Sequence, residues 1–338
     1  MQSNSHHKIL IIRFSSFGDI TQCLSVIDKL KEKFKDCDID WATRQEFKEL
    51  ISHHPNLTNV ICLDRKSGLK GLFKMAFLIR EQNYTHIYDA HNNFRSNLIL
   101  TVAAFFKKMT ILKRPTYRWK RFLLFKLRIN KYKQPFSGQR DLLEPLLAWG
   151  INSESPNPPQ VFYSRDHELQ AKEKLKSVPE TYITMAPSAA FFLKRWPKAY
   201  WKQLIEHCKD DFFVLLGGPD DQFIEDIIKD FPGRTLNLAG KCSLSENIPI
   251  IKGSKMLISN DTGLMHIAEQ LGHPCVALMG PAPFGFPSRS TTKILQLDLK
   301  CRPCSKHGQG PCVNSKYHQC LVDILPEQVA RLVIHGIN

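Results

Sequence analysis

Six short runs of apolar, often branched residues constrain the fold most strongly. They read KILII at 8–12, NVICL at 59–63, YITM at 182–185, FFVLL at 212–216, KMLIS at 255–259 and PCVALM at 274–279. A strand that is apolar throughout is covered on both faces, as parallel sheets are. After the first run comes a Ser- and Gly-containing loop. Helical spacing then follows at Ile20, Leu24, Ile27 and Leu30. The spacing also predicts helices over 45–52, 72–82, 196–206, 264–271 and 326–334, and further strands at 38–41 and 86–88. Pro197 falls in a first helical turn, where its missing N–H is harmless. Strands alternating with helices predict a doubly wound α/β architecture.

The alternation is interrupted once. Residues 151–164, INSESPNPPQVFYS, have the Pro, Ser and Asn content of a linker. A chain of 338 residues suits about two domains. The expected division is an N-terminal domain over 1–155, a second domain over 165–322 and a closing helix over 323–338. Both domains read as Rossmann-like and are expected to face a central cleft.

The formal charge is +15, and the excess is concentrated. Between 107 and 133 there are eleven Lys or Arg and no acid, interleaved with Phe, Tyr and Trp. Such a stretch is either a solvated face or a surface for an anionic partner. Basic and aromatic mixing suits a lipid surface or stacked bases, but no nucleic-acid motif accompanies it. The longest nearly apolar run, 98–106, falls short of the about 20 residues of a membrane span. The N-terminal MQSNSHHKILII has no signal-peptide pattern. The expectation is a cytoplasmic protein, whose ten cysteines are thiols or metal ligands before they are disulfides.

Four loops carry residues with chemistry. SNDTG at 259–263 lies between a strand and a helix, where unpaired N–H groups accept a phosphate. Asp261 there is either part of that site or only an N-cap. PSAAFFLKRWP at 187–197 offers Ser188 and a cation, Lys194, that either neutralises a phosphate leaving group or is a surface lysine. RFSSFGD at 13–19 follows the first strand, at the edge where open α/β sheets bind ligands. Asp19 is either its helix cap or a general base. DAHNNFR at 89–95 lines the same edge or is a solvated loop. Cys301, Cys304, Cys312 and Cys320 read as free thiols, a disulfide pair or a structural zinc site, although the spacing is not that of a common finger. The other six cysteines suit small core positions.

Taken together these segments resemble glycosyltransferase family 9, the ADP-heptose:lipopolysaccharide heptosyltransferases. The resemblance extends through DAHNNFRSN at 89–97, LLGGPDD at 215–221, NLAGKCSL at 237–244, SNDTGLMHIAEQLGHPCVALMGP at 259–281 and ILPEQV at 324–329. It implies a GT-B fold of two Rossmann-like domains and inverting, metal-independent transfer of heptose from ADP-heptose. The implied acceptor is the lipopolysaccharide inner core, either lipid A–Kdo or a heptosylated form. No cofactor is expected. The implied location is the cytoplasmic face of the inner membrane, with peripheral contact to its surface and no nucleic-acid partner. Asp19 matches the base and Lys194 the lysine that meets the donor phosphates. Ser15, Ser16, Ser188, Cys242, Asp261, Thr262 and Gly263 match donor contacts. Arg13, Arg95, Arg118, Lys120 and Arg121 are expected to face the acceptor or the membrane.

Two features depart from the pattern. Ser188 stands where the family often has Gly, followed by the bulky Phe191 and Phe192. The 107–133 stretch is also unusually basic and aromatic. A relative using another nucleotide sugar or surface glycan is the alternative within the family. A non-catalytic polyanion-binding protein is the alternative outside it, and it predicts strongly salt-dependent binding to any polyanion.

Overall fold

Two separate parallel sheets organise the chain in this computed structural model, which describes residues 6–337. The first sheet contains β1 (His7–Ile12), β2 (Cys37–Arg44), β3 (Asn59–Leu63), β4 (His86–Asp89) and β5 (Thr110–Lys113), in the order β3-β2-β1-β4-β5. The second contains β6 (Ile183–Ala186), β7 (Phe213–Leu215), β8 (Thr235–Asn237), β9 (Leu257–Asn260), β10 (Cys275–Leu278) and β11 (Thr292–Leu295), in the order β11-β10-β9-β6-β7-β8. Five of the six apolar runs form inner strands, whereas NVICL forms the edge strand β3. Ile9, Leu10, Ile11 and Ile12 of β1 have no exposed surface, and neither do the four residues of β10.

Both sheets reverse direction beside their first strand. In the first unit, β1 is flanked by β2 and β4, with Ile12 opposite both Ala42 and Asp89. In the second, β6 is flanked by β9 and β7, with Ala186 opposite Ser259. Loops leaving adjacent strands at such a reversal diverge and open a crevice at the carboxyl ends. The diverging loops are those after β1 and β4, and those after β6 and β9. All four contain motifs read from the sequence.

Local chemistry sets the helix boundaries. Asn93 Oδ1 accepts from the Ser96 N–H at 3.0 Å and starts the helix Phe94–Ala103. Thr262 Oγ1 accepts from the Leu264 N–H at 3.1 Å and starts the helix Gly263–Leu271, which Gly272 ends in the left-handed conformation. The pattern over 20–34 resolves into two helices, Phe17–Cys23 and Ser25–Lys33, separated at Leu24. The helix expected over 72–82 begins earlier, at Gly68, and runs to Glu81.

The chain divides into two compact units that differ from the expected 1–155 and 165–322. The first holds Met1–Tyr117 and Gln139–Phe162, and the second holds Arg118–Gly138 and Tyr163–Asn338. The segment 118–138 leaves the first unit because its aromatic residues find their partners in the second. Phe125 and Tyr132 pack against Phe284, at centroid distances of 6.1 and 5.4 Å. Arg128 Nη1 donates to the carbonyls of Pro303 and Cys301, at 2.8 and 3.3 Å. The closing helix, Pro326–His335, is not a separate piece. Its Val329, Ala330 and Val333 join the second core beside Trp201, Leu204 and Ile205.

Candidate functional site

Each unit carries a polar cluster at its own switch point. In the first unit, Arg13 follows β1 and Ala90 follows β4. Their alignment lets Arg13 Nη1 donate to the Ala90 carbonyl, while Nη2 lies 2.8 Å from Asp19 Oδ2. Asp19 occupies the third position of the helix Phe17–Cys23, so its carboxylate reaches back to the N-cap. It accepts from Ser16 Oγ at 2.7 Å and from the Ser16 N–H at 3.2 Å. The Asp19 side chain remains 39% exposed. Burial by itself would raise its pKa. The guanidinium groups of Arg13 and Arg114, with the Ser16 hydrogen bonds, outweigh burial and hold the carboxyl well below the ordinary range. Asp19 therefore combines a capping role with an accessible, permanently ionised carboxylate. Ser15 lies in the same loop.

Arg13 is not a surface cation. Its side chain is 6% exposed, because it is committed to Asp19 and to the Ala90 carbonyl. Of the two faces expected for this residue, acceptor or membrane, its burial disfavours the membrane. Arg95 is exposed, in the first turn of the helix Phe94–Ala103. Two further residues join the cluster, one outside the loops read from the sequence and one within DAHNNFR. Arg114 was hidden in the basic stretch, yet it sits just past β5 and its N–H donates to the Asp89 carbonyl at 2.9 Å. His91 packs edge-on against Phe14, and burial, then Arg13, lower its pKa to about 4, so it is neutral at pH 7.

The second cluster surrounds Lys194. This residue closes the turn Phe192–Lys194, and its Nζ lies 2.6 Å from Asp261 Oδ2, with the two side chains 15% and 8% exposed. Asp261 is free for that pairing because Thr262, not Asp261, caps the following helix. Asn260 fixes the two loops together. Its Nδ2 donates to the Pro187 carbonyl at 2.7 Å, and its Oδ1 accepts from the Trp196 N–H at 3.0 Å. Gly308, at φ +81°, passes so close that a Cβ there would lie 2.8 Å from Lys194 Cγ. His318 Nε2 meets the Leu193 carbonyl at 2.9 Å. The Cys-rich segment thus buttresses the lysine. The pair stands at the amino end of the helix Gly263–Leu271, whose first N–H groups carry partial positive charge.

Asp221 is a further residue the sequence reading missed. Ser188 Oγ donates to its Oδ1 at 2.6 Å and the Gly218 N–H to its Oδ2 at 2.7 Å. The Ser188 hydroxyl is therefore tied to Asp221. The Gly-Gly-Pro-Asp-Asp sequence after β7 was the available signal. Cys242 lies in the loop after β8, half-buried, with burial pushing its thiol up to about 11. Its loop is set by Gly240, at φ +70°, where a Cβ would approach Pro219 Cα to 2.7 Å.

Cys301, Cys304, Cys312 and Cys320 line one small cavity with Leu193, Asn314 and His318. All ten cysteines are free thiols, and among the described residues no group of three or more His, Cys, Asp or Glu is placed to hold a metal ion. Two of the sulfurs instead accept hydrogen bonds, Cys301 from Asn314 Nδ2 at 3.3 Å and Cys312 from the His318 N–H at 3.2 Å.

The basic stretch 107–133 is divided between the two units. Residues 107–117 belong to the first unit and 118–133 to the second. Arg118 and Trp119 are exposed, whereas Lys120 and Arg121 are partly buried. Phe125 and Tyr132 are packing residues, for the reason given above.

Comparison with known proteins completes these observations. The profile described as glycosyltransferase family 9 (heptosyltransferase) matches residues 72–318. Lipooligosaccharide heptosyltransferase 2 of Haemophilus influenzae is 28% identical, over 94% of this chain and 96% of its own. Among solved structures, a family 9 glycosyltransferase from Veillonella parvula superposes with a TM-score of 0.80 at 19% identity, covering 98% and 97% of the two chains. The ADP-heptose lipopolysaccharide heptosyltransferase II of E. coli gives 0.73 at 23% identity, covering 98% of both. The two parallel sheets with their helices are thus the two-domain GT-B fold of those structures. With the profile spanning most of its length and the motif loops at both switch points, the chain belongs to glycosyltransferase family 9.

Proposed function

We propose that this enzyme transfers heptose from ADP-heptose to the inner core of lipopolysaccharide, with inversion and without a metal ion. The observation that carries the reading is the Lys194–Asp261 pair at the amino end of the helix Gly263–Leu271. A departing nucleoside diphosphate needs positive charge placed in advance, and Lys194 with the unpaired N–H groups around Thr262 supplies it. Asp261 aims the lysine and accepts a hydroxyl hydrogen bond from the sugar. Gly263 lets the diphosphate approach the backbone. Ser15, Ser16, Ser188 and the backbone at Cys242 complete the donor contacts.

Asp19 takes the proton of the acceptor hydroxyl as its oxygen attacks the anomeric carbon opposite ADP. A carboxylate held so far below the ordinary range is a weak base. It suffices if the proton moves late, because a hydroxyl bonding to an electron-poor carbon becomes strongly acidic. Arg13 and Ser16 keep the carboxylate ionised and oriented. Arg95 is a candidate contact to the anionic acceptor.

A lipid-linked acceptor made on the cytoplasmic face of the inner membrane requires peripheral contact with that surface. Among the described residues no helix is long and apolar enough to cross a membrane. The test is a transfer assay with purified protein, ADP-heptose and a panel of truncated lipid A–Kdo acceptors, read by mass spectrometry. A gain of one heptose on one acceptor establishes the reaction and its step. No gain on any acceptor, with ADP still bound, overturns the heptosyl reading in favour of another sugar or acceptor.

A further inference from the structure

The helix Gly68–Glu81 has two apolar faces, and the core uses only one. Leu72, Met75, Ala76 and Ile79 face the first sheet and are buried with Ile99, Leu100 and Ala103 of the helix Phe94–Ala103. Leu69, Phe73 and Phe77 recur every four residues on another flank and stay in solvent, Leu69 and Phe77 by 62% and 55%. Four-residue spacing places them one above another as a continuous stripe. Burial cannot explain them, since the sheet is already covered.

The stripe does not end with the helix. Arg80 Nη1 donates to the Phe105 carbonyl, which brings the Phe105–Phe106 pair to the same end of the unit. Their rings lie 4.2 Å apart and both are exposed, Phe106 by 90%. Phe106 is also held at φ +56°, a left-handed conformation costly for a bulky side chain.

The surrounding charge selects the partner. Lys66, Lys70 and Lys74 accompany the stripe, and Lys107 and Lys108 follow the two phenylalanines. The helix itself contributes one acid, Glu81. Apolar side chains rimmed by cations fit an anionic bilayer, where the rings enter the headgroup boundary and the lysines meet phosphates. A second copy of the chain would bring like charges together, which disfavours self-association through this face.

We propose that this flank, comprising Leu69, Phe73, Phe77, Phe105 and Phe106 with their lysines, docks the enzyme on an anionic lipid surface. The inference rests on the reading that the acceptor is a membrane lipid, and it assigns the docking to the first unit rather than to the 118–133 segment.

The experiment is co-sedimentation of the full chain with vesicles of equal parts phosphatidylglycerol and phosphatidylcholine, and with phosphatidylcholine alone. The wild type should prefer the anionic vesicles. Each basic residue at such a surface is worth about a five-fold change in partitioning, so Lys70→Ala/Lys74→Ala should bind about 25-fold less. Phe73→Ser/Phe77→Ser should lose at least ten-fold with an unchanged melting temperature. Absence of wild-type binding overturns the proposal. So does retained binding in both double variants, or loss in Lys120→Ala/Arg121→Ala while the helix variants still bind. A concentration-dependent dimer that Phe73→Ser/Phe77→Ser abolishes would assign the face to a second copy and also overturns it. Transfer to an acceptor lacking its lipid, measured on the same preparations, tests the transferase reading separately.

Discussion

Lys194→Met leaves Asp261 buried without its partner. Removing one member of a buried pair costs about 3–5 kcal/mol when the remaining charge is sealed from water. Here the two side chains retain 15% and 8% of their exposure. Asp261 also keeps the favourable field of the helix Gly263–Leu271, worth about 0.3–1 kcal/mol. The expected cost of Lys194→Met is therefore about 2–3 kcal/mol. At about 2–4 °C per kcal/mol, the melting temperature falls by about 4–12 °C. Asp261→Leu should cost more, because a lone Lys194 then faces the positive end of that helix. Lys194→Met/Asp261→Leu removes both charges and should recover to within about 1 kcal/mol of wild type. Transfer should not recover with it. Loss of the charge facing the departing diphosphate costs about 10²–10³ in turnover, and the double variant lacks it still. Thermal unfolding by circular dichroism and the transfer assay, run on all four proteins, separate the two effects. An active double variant would refute the assignment of Lys194 to the leaving group. An unchanged melting temperature in Lys194→Met would refute the buried pair.

Other outcomes follow from the same geometry. Asp19→Ala should keep ADP affinity and lower turnover by about 10²–10⁴-fold, and near-normal turnover removes Asp19 from the chemistry. Because its folded pKa lies well below the ordinary range, Asp19 is ionised throughout pH 5–8. The kcat/KM profile of the wild type should accordingly show no acid limb from Asp19 in that window. Arg13→Met should raise the carboxyl toward its ordinary value; a wild-type acid limb near pH 6 that follows Arg13 substitution contradicts the assigned state. Burial lowers His54, His91 and His273 to about 4, below the ordinary value of a histidine. The unfolded chain then binds more protons between about pH 6.5 and 4, so stability is present above that window and declines as pH falls through it. Urea titrations at pH 7 and 5 should show the loss, and equal stability would contradict the neutral, buried state. Gly308→Ala should reduce turnover, since its Cβ would press on Lys194 Cγ from a left-handed backbone. Wild-type turnover in that variant shows that the Cys-rich segment does not position the lysine.

The parts of the fold that could be read in advance are those where one physical signal dominates. The central strands are apolar on both faces, so KILII and PCVALM stood out without context. The edge strand β11, Thr292–Leu295, is only partly buried and has no such run. The same distinction separates the site residues. Lys194, Asp261 and Asp19 lie beside recognisable loops. Arg114 acts across the sheet edge from the basic stretch, and no local pattern marks it, whereas Asp221 ends the Gly-Gly-Pro-Asp-Asp sequence but reaches Ser188 only in the fold. The burial of Arg13 is not legible in its charge, because a guanidinium with a carboxylate and a carbonyl to satisfy it can be buried. The aromatic residues of 118–138 divide, since Trp119 and Phe122 are exposed. Their composition resembles a lipid surface, yet Phe125 and Tyr132 are spent on Phe284.

The path of the chain through the two units has a bearing on biosynthesis. The polypeptide passes from one unit to the other after Tyr117, returns after Gly138 and leaves again after Phe162. A ribosome therefore delivers 118–138 long before Phe284, Phe286 and the carbonyls of Cys301 and Pro303 that receive it exist. Until then Phe125, Tyr132 and Phe136 lack the rings of Phe284 and Phe286 on which they pack, while the Gln139–Phe162 portion of the first unit folds behind them. Cutting the gene at the Pro-rich linker would not yield two self-sufficient halves. The amino-terminal fragment would carry the segment without Phe284 and Phe286, and the carboxyl-terminal one would lack it. Co-expressed halves should recombine only when 118–138 finds its place, which makes that segment the element that commits the two products to one another.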